Sequence, residues 1–403
     1  METERVLLEL ERALNALPGA VENTRRRNPG IPDDIALALA SRDVGENLRT
    51  ILTVQPELAG NLMMSTGGGA SFSLSMRATD VLIRRASKSS AKEALDWFAR
   101  ILTLESSNAV AVTPVWGVDV SAPVTLGASY ELVSLSSLPS VPHPLTFDGP
   151  GAATSFRMQH RWNPPTTAII ERFTVQPIFY KADHAPKSRN ELVGQSLHEI
   201  RRCLMLSGPT MIDPDSTWFQ FENADLVDIM PGARMGTIFE IEPFMFRSFE
   251  PFDAERAADI SRAYLGVLKD HRNIQLALDR FERGMRRMNP GDAAVELCIA
   301  LESLLSDPGD QGEITYKVAL RSAQLLGGDL PERAERRDKV KALYGLRSNV
   351  VHGRTLPTKK IVGGKEMTVD DLVKEGFKIA AQVIARVIGM KGIPDWRMLE
   401  LGG

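Results

Sequence analysis

The sequence predicts an α+β protein: a mixed, β-rich N-terminal region followed by an all-α C-terminal helical bundle. Three observations carry that expectation. Between about residues 106 and 250, β-branched and aromatic runs recur among prolines and glycines. From residue 251 onward, apolar residues recur at offsets of three and four, the period of a helix buried along one side. At 403 residues the chain is longer than one ordinary domain. The expected division is a helical segment over 1–105, a β-rich domain over 106–250 and a helical domain over 251–403.

The N-terminal segment begins with a helix over 4–16, apolar at Val6, Leu7, Leu10, Ala13 and Leu14 and ended by Pro18-Gly19. Further helices are expected over 33–53 and 89–104, the second with Ala94, Trp97, Phe98 and Ile101 at helical spacing. Ser65 to Ser71 is glycine-rich but lacks the Gly-Lys-Ser/Thr ending of a phosphate loop, and reads as a plain loop. Strands follow around Val110–Val120, Tyr130–Leu135, Ala168–Val175, Trp218–Phe221 and Thr237–Glu242. Such strands without a regular helix between them indicate an antiparallel or mixed sheet. The Ser-, Pro- and Gly-rich stretch 136–165 reads as a long surface loop, and a helix over 191–205 packs on the sheet.

Asp253 then offers an N-cap to a helix apolar at Ala257, Ile260, Tyr264 and Val267. The next helix is apolar at Ile274, Ala277, Leu278, Phe281, Met285 and Met288. Ala294 to Leu305 is almost wholly apolar but for two glutamates, of which Glu302 lies among Ala300, Leu301, Leu304 and Leu305. A helix over 314–326 stops at Gly327-Gly328, a basic helix from Glu332 runs into Arg347 and His352, and a last one spans Val369 to Met390.

Bulk composition narrows the function classes. An apolar content of 43% with 25% charged residues is that of a soluble globular protein. A net charge of −3 argues against a chain coated in positive charge, while leaving room for a local basic patch. Cys203 and Cys298 form no CxxC pair, and His143, His160, His184 and His271 have no metal-ligand spacing, so neither a metal nor a cofactor is expected. No apolar run reaches the roughly 18 residues of a membrane span, and the acidic N-terminus is no signal peptide. The expected location is the cytoplasm.

The stretch Tyr344-Gly-Leu-Arg347-Ser348-Asn349-Val-Val-His352-Gly353 concentrates the chemistry. Arginine forks onto phosphate oxygens at any physiological pH, and histidine moves protons near neutrality. On an ideal helix five positions set Arg347 and His352 about 140° apart, so they meet only if the helix ends or deforms between them. Glu302, if buried, needs a cation, and Arg347 or Arg321 is the natural partner. Ser348 and Asn349 can hydrogen-bond phosphate or backbone, and Tyr344 lies one turn before Arg347. Arg336, Arg337, Lys341 and Arg354 add positive charge that could track an RNA backbone, or serve as an ordinary solvated face.

Four segments in order (Ala277-Leu-Asp-Arg-Phe281, Ile299-Ala-Leu-Glu-Ser-Leu-Leu305, Ala319-Leu-Arg-Ser-Ala323 and Arg347-Ser-Asn-Val-Val-His-Gly353) resemble the Apea-like family of the HEPN superfamily over about 254–392. The resemblance implies a metal-independent endoribonuclease in which Arg347 and His352 are catalytic. It further implies a homodimer that brings two such motifs together, and a role in prokaryotic anti-phage defence or stress response. Many superfamily members carry Asn, Asp or His directly after the arginine; this chain has Ser348. The alternative implied is a non-catalytic HEPN module for dimerisation or RNA binding. For the ribonuclease reading, the architecture alone makes 106–250 a sensor or regulatory domain for an unknown trigger ligand or protein.

Overall fold

The structure is a computed structural model that describes residues 3–55, 62–65, 71–138, 165–181, 190–214, 217–229, 233–235, 248–267, 271–307 and 312–400. The chain is mixed α+β. It opens with α1 (Thr3–Arg27), α2 (Asp33–Val44), α3 (Glu46–Thr53), β1 (Leu62–Ser65), β2 (Ser71–Ser73), α4 (Leu74–Ala86) and α5 (Ala91–Leu102). Three features depart from the sequence expectation. The single helix expected over 33–53 is two, α2 and α3, broken at Gly45. α1 runs straight through Pro18, which removes one backbone hydrogen bond, because the buried stripe Val6, Leu10, Ala13 and Leu17 holds the helix on both sides of it. α4 was hidden by its serine-rich lead-in, yet Ala78, Val81 and Leu82 bury one face of it.

Next come β3 (Ser107–Trp116), β4 (Val124–Thr125), β5 (Tyr130–Ser134), β6 (Thr167–Val175), β7 (Phe179–Lys181), α6 (Asn190–Leu204), β8 (Asp213–Pro214), β9 (Thr217–Phe221), α7 (Ala224–Ile229) and β10 (Ala233–Met235). The main sheet has the order β10-β9-β3-β6-β5-β4, with β8 also on β3, and every pairing is antiparallel. Ala111 sits opposite both Glu171 and Phe219, so Ala109, Ala111, Ile169, Phe173 and Phe219 face the principal core. Val110, Val112, Ala168 and Ile170 form a second apolar layer on the other face, beside Trp218. Burial on both faces makes β3 and β6 read as continuous apolar runs rather than alternating ones. β7 pairs with β1 and β1 with β2, so the N-terminal segment is not purely helical and is tied to residues far along the chain. The strand expected at Thr237–Glu242 and most of the expected 136–165 loop lie outside the described residues, as do the glycines at 67–69.

The remainder comprises α8 (Ala254–Leu265), α9 (His271–Arg286), α10 (Pro290–Leu305), α11 (Ile314–Leu326), α12 (Leu330–Val351), β11 (Lys359–Val362), β12 (Lys365–Thr368), α13 (Val369–Gly389) and α14 (Trp396–Glu400). The all-α expectation for this part is corrected by the hairpin β11-β12. Its two-residue Gly363-Gly364 turn has φ of +57° and +81°, the left-handed geometry that lets a tight hairpin form between Lys- and Glu-bearing strands with little apolar signal. Asp253 caps α8 as expected, accepting from Arg256 N–H at 3.0 Å. α10 is the central rod, packed by α9, α12 and α13, which explains its nearly all-round apolar sequence. Among the described residues one apolar core runs from Val6 to Trp396, and Phe249 stacks on Phe377 of α13 at 5.2 Å.

Candidate active site on helices α10 and α12

α12 buries Val340, Leu343, Tyr344 and Leu346, and Arg347 continues the 340, 343, 344 stripe by one step. That places its guanidinium against α10, where Nη1 donates to Glu302 Oε1 at 2.6 Å. The Tyr344 ring lies under the same guanidinium at 5.6 Å, a cation–π contact. Arg347 keeps 33% of its side chain exposed and Glu302 22%, so the pair sits at the rim of the core rather than inside it. Nε and Nη2 of Arg347 have no protein acceptor among the described residues, leaving part of the fork open to solvent. Burial, then the neighbouring Cys298 and Glu302, push the Tyr344 phenol up, so it remains neutral; its buried hydroxyl reaches no well-aligned acceptor among the described residues. Burial likewise pushes the Cys298 thiol up, which makes it an inert filler of the space behind the pair.

Arg321, the other cation considered for Glu302, does different work. It is buried, donates to Leu305 O at 2.8 Å and to Glu400 at 2.7 Å, and lies over the Trp396 ring. It closes the C-terminal end of α10 and fastens α14 to the bundle.

His352 is the C-cap residue of α12 and is exposed. The helix does not deform before it: His352 N–H still bonds Ser348 O at 3.1 Å. It ends one residue later. Gly353 N–H bonds Val350 O at 3.0 Å, Arg354 N–H bonds Asn349 O at 2.7 Å, and Gly353 has φ of +64°. This is the Schellman pattern, and the left-handed residue is the glycine that tolerates it. The backbone under His352 is therefore fixed, while its imidazole makes no side-chain hydrogen bond or ion pair among the described residues. Regular helix between the two positions keeps Arg347 and His352 on divergent faces, about 140° apart. Ser348 is exposed and Asn349 half-buried; both supply backbone carbonyls to the cap.

The basic residues of α12 divide in two. Arg336 closes the end of α11 by donating to Gly327 O at 2.5 Å, and Arg337 pairs with Asp338 at 2.9 Å. Lys341 and Arg354 are exposed and make no side-chain ion pair among the described residues. Two cations flanking Arg347, rather than the whole helix, are thus free to meet a phosphate backbone.

Sequence reading missed a buried charged cluster between α6 and α9. Buried Arg201 on α6 donates to Glu282 of α9 at 2.7 Å and to Ile212 O at 2.6 Å. Arg202 reaches Glu282 and Asp279, both at 2.7 Å, and Arg286 joins Glu282 at 2.8 Å to Asp213 at 3.0 Å. Burial alone would raise the Glu282 carboxyl, but Arg201, Arg286 and Arg202 hold it well below the usual carboxylate range. The signal was present as Arg201-Arg202 on one helix and the Glu282/Arg286 pair, one turn apart, on another. Burial, then Arg201 and Arg202, lower His198 to about 3, so it is neutral at physiological pH.

A histidine held neutral in the fold binds fewer protons than the unfolded chain between about 3 and the ordinary value near 6.5. Stability is therefore expected to fall as pH drops from about 6.5 toward 3, with Glu282 adding to the loss as pH falls through its depressed value. Urea midpoints measured from pH 7 to pH 4 should show this limb in the wild type and a flatter one in His198→Gln. An unchanged slope in the variant would remove His198 from the account.

No family model, curated protein or solved structure matches this chain. Among the described residues no helix is long and apolar enough to cross a membrane, and no group of three His, Cys, Asp or Glu side chains is placed to hold a metal.

Proposed function

We propose that this chain is a metal-independent endoribonuclease of the HEPN type, acting as a homodimer in prokaryotic anti-phage defence or a related stress response. The observation that carries the reading is the half-open guanidinium of Arg347, oriented by Glu302 and Tyr344, on the same helix as an exposed His352 with a fixed backbone. An arginine so held can stabilise charge on a phosphate without first being ordered. His352 takes the proton of an RNA 2′-hydroxyl; that oxygen bonds to its own neighbouring phosphorus as the P–O5′ bond breaks. The leaving oxygen needs a proton from a second donor. One chain offers one motif, with its two arms pointing apart, so His352 of the partner subunit is the donor the reading requires. The biological role comes from the family resemblance; the assignment of 106–250 to sensing a trigger is inferred from the architecture alone.

A second reading has its own support. The divergence of Arg347 and His352, and the pairing of Arg347 with Glu302, also suit a non-catalytic HEPN module that dimerises or binds RNA through Lys341 and Arg354.

Purified protein incubated with single-stranded RNA in EDTA decides between them. The enzyme reading expects cleavage unaffected by chelator, products ending in 2′,3′-cyclic phosphate, and a mass by light scattering of about twice 44.3 kDa. RNA binding without cleavage would favour the module, and a strict monomer that cleaved RNA would refute the two-chain site.

A further inference from the structure

A groove of about 580 Å³ lies between α4, α5 and α7, far in sequence from α12, and it is lined by Arg84, Arg85, Lys88, Trp97, Arg100 and Asp228 among others. Its cations are unequally satisfied. Arg85 is committed: it pairs with Asp228 and Asp225 of α7 and lies 4.5 Å over the Trp97 ring. Arg100 reaches Asp225 only at 3.8 Å. Arg84 makes one contact, from Nε to the Asp80 backbone carbonyl at 3.4 Å, which is long and leaves the two terminal nitrogens without a protein acceptor among the described residues. Lys88 is exposed and pairs with no carboxylate among the described residues. Behind them Trp97 is 1% exposed, and its indole N–H has no acceptor among the described residues. A buried donor left unmet is costly and calls for an explanation.

Arg77 lies near Arg84 and Arg42, with Asp80 opposing them and one Asp80 oxygen taking Arg42 at 3.1 Å. Burial first, and then the Arg84 charge, lower the Arg77 guanidinium from its ordinary value. Glu93 and Asp96 also line the groove with Asp228, so its four cations outnumber its three carboxylates by one, and the volume falls within the range of small-molecule sites.

We propose that this groove binds a small, multiply charged phosphate anion, gripped by Arg84 and Lys88 and reached by Arg100 at the rim. A fork of free guanidinium nitrogens and an exposed ammonium lining one groove suit the several oxygens of a diphosphate better than a single carboxylate. The site is independent of the ribonuclease reading, since binding is measured without RNA cleavage.

Pyrophosphate titrated calorimetrically into the full-length protein at about 0.1 M salt should bind saturably with one site per chain. Arg84→Gln combined with Lys88→Gln removes two charge-assisted contacts and should weaken binding about 100-fold. Lys88→Gln alone, an exposed position at the end of α4, should weaken it about tenfold with the fold intact by circular dichroism. Lys92→Gln, exposed on α5 outside the groove, should change nothing. Absence of pyrophosphate binding at millimolar concentration would overturn the proposal, as would binding undiminished in Lys88→Gln. So would a groove that takes only single-stranded RNA, tested as a short oligomer in the same titration.

Discussion

Glu282→Ala is expected to destabilise the protein by about 3–5 kcal/mol, enough to leave many natural domains largely unfolded. Glu282 is 6% exposed and is the acceptor on which Arg201, Arg202 and Arg286 converge. Its removal strands Arg201, which is 1% exposed and cannot turn to water without opening the packing of α6 on α9. The loss comes from uncompensated buried charge, not from the attraction forgone, because desolvation offsets much of what the pair gains. Replacing Glu282 and Arg201 together by methionine should therefore recover part of the stability lost in Glu282→Ala. Urea denaturation of the three proteins measures this. As a reference, the exposed pair Glu22–Arg26 should tolerate Glu22→Ala within about 0.5 kcal/mol. A Glu282→Ala midpoint equally close to wild type would show that the cluster does not hold the two halves together.

That cluster also explains why the halves cannot be treated as beads on a string. α6 lies between the sheet strands β7 and β8 in sequence and α9 belongs to the helical part, yet they share Glu282 and one apolar core. α9 in turn packs along α10, whose Glu296 holds Arg280 and Arg287 and whose Glu302, two turns on, holds Arg347. Any movement of the sheet relative to the bundle must pass through groups that cannot be separated one at a time.

The sequence made the helices of the C-terminal part legible because each carries a buried stripe, with recognisable ends at Asp253 and Gly327; the Asp329 cap of α12, three residues before the expected start at Glu332, was not read. The Glu302–Arg347 pair was legible for a physical reason: a carboxylate among leucines needs a cation, and few were in reach. What stayed hidden was non-local. The β1-β7 pairing joins Met63 to Tyr180 across more than a hundred residues and leaves no periodic trace. The β11-β12 hairpin is written in lysines and glutamates around two glycines, and Arg336 gave no sign that it would be spent on Gly327 O rather than on solvent. Direction around a helix was computable, which is why the divergence of Arg347 and His352 could be anticipated; the intact helical bond to Ser348 O keeps it.

Arg347→Ala and His352→Ala are each expected to abolish RNA cleavage while leaving the fold intact. His352 is exposed and the cap beneath it uses backbone groups and Gly353, so truncating its side chain removes no core packing. The loss of a proton acceptor of this kind is about 10²–10⁴-fold. Arg347→Ala removes charge stabilisation worth about 3–4 kcal/mol in the transition state, by analogy with one oxyanion donor. It also strands Glu302, but at 22% exposure that carboxylate can still reach water, so the stability cost should stay well below that of Glu282→Ala. Glu302→Gln separates positioning from charge. It keeps the shape and an acceptor but releases the ion pair, and should lower kcat less than Arg347→Ala does. If arginine and histidine serve one step, as proposed, the double variant should be little worse than either single one. A mixture of wild-type and His352→Ala chains provides the sharpest test of a site shared between subunits. The reading needs His352 of one chain as base and His352 of the partner subunit as acid, so the heterodimer keeps one histidine and should be as inactive as the His352→Ala homodimer. Heterodimers with half the wild-type activity would place all the groups of a working site on one chain. Wild-type cleavage in His352→Ala would remove the ribonuclease mechanism and leave the binding module.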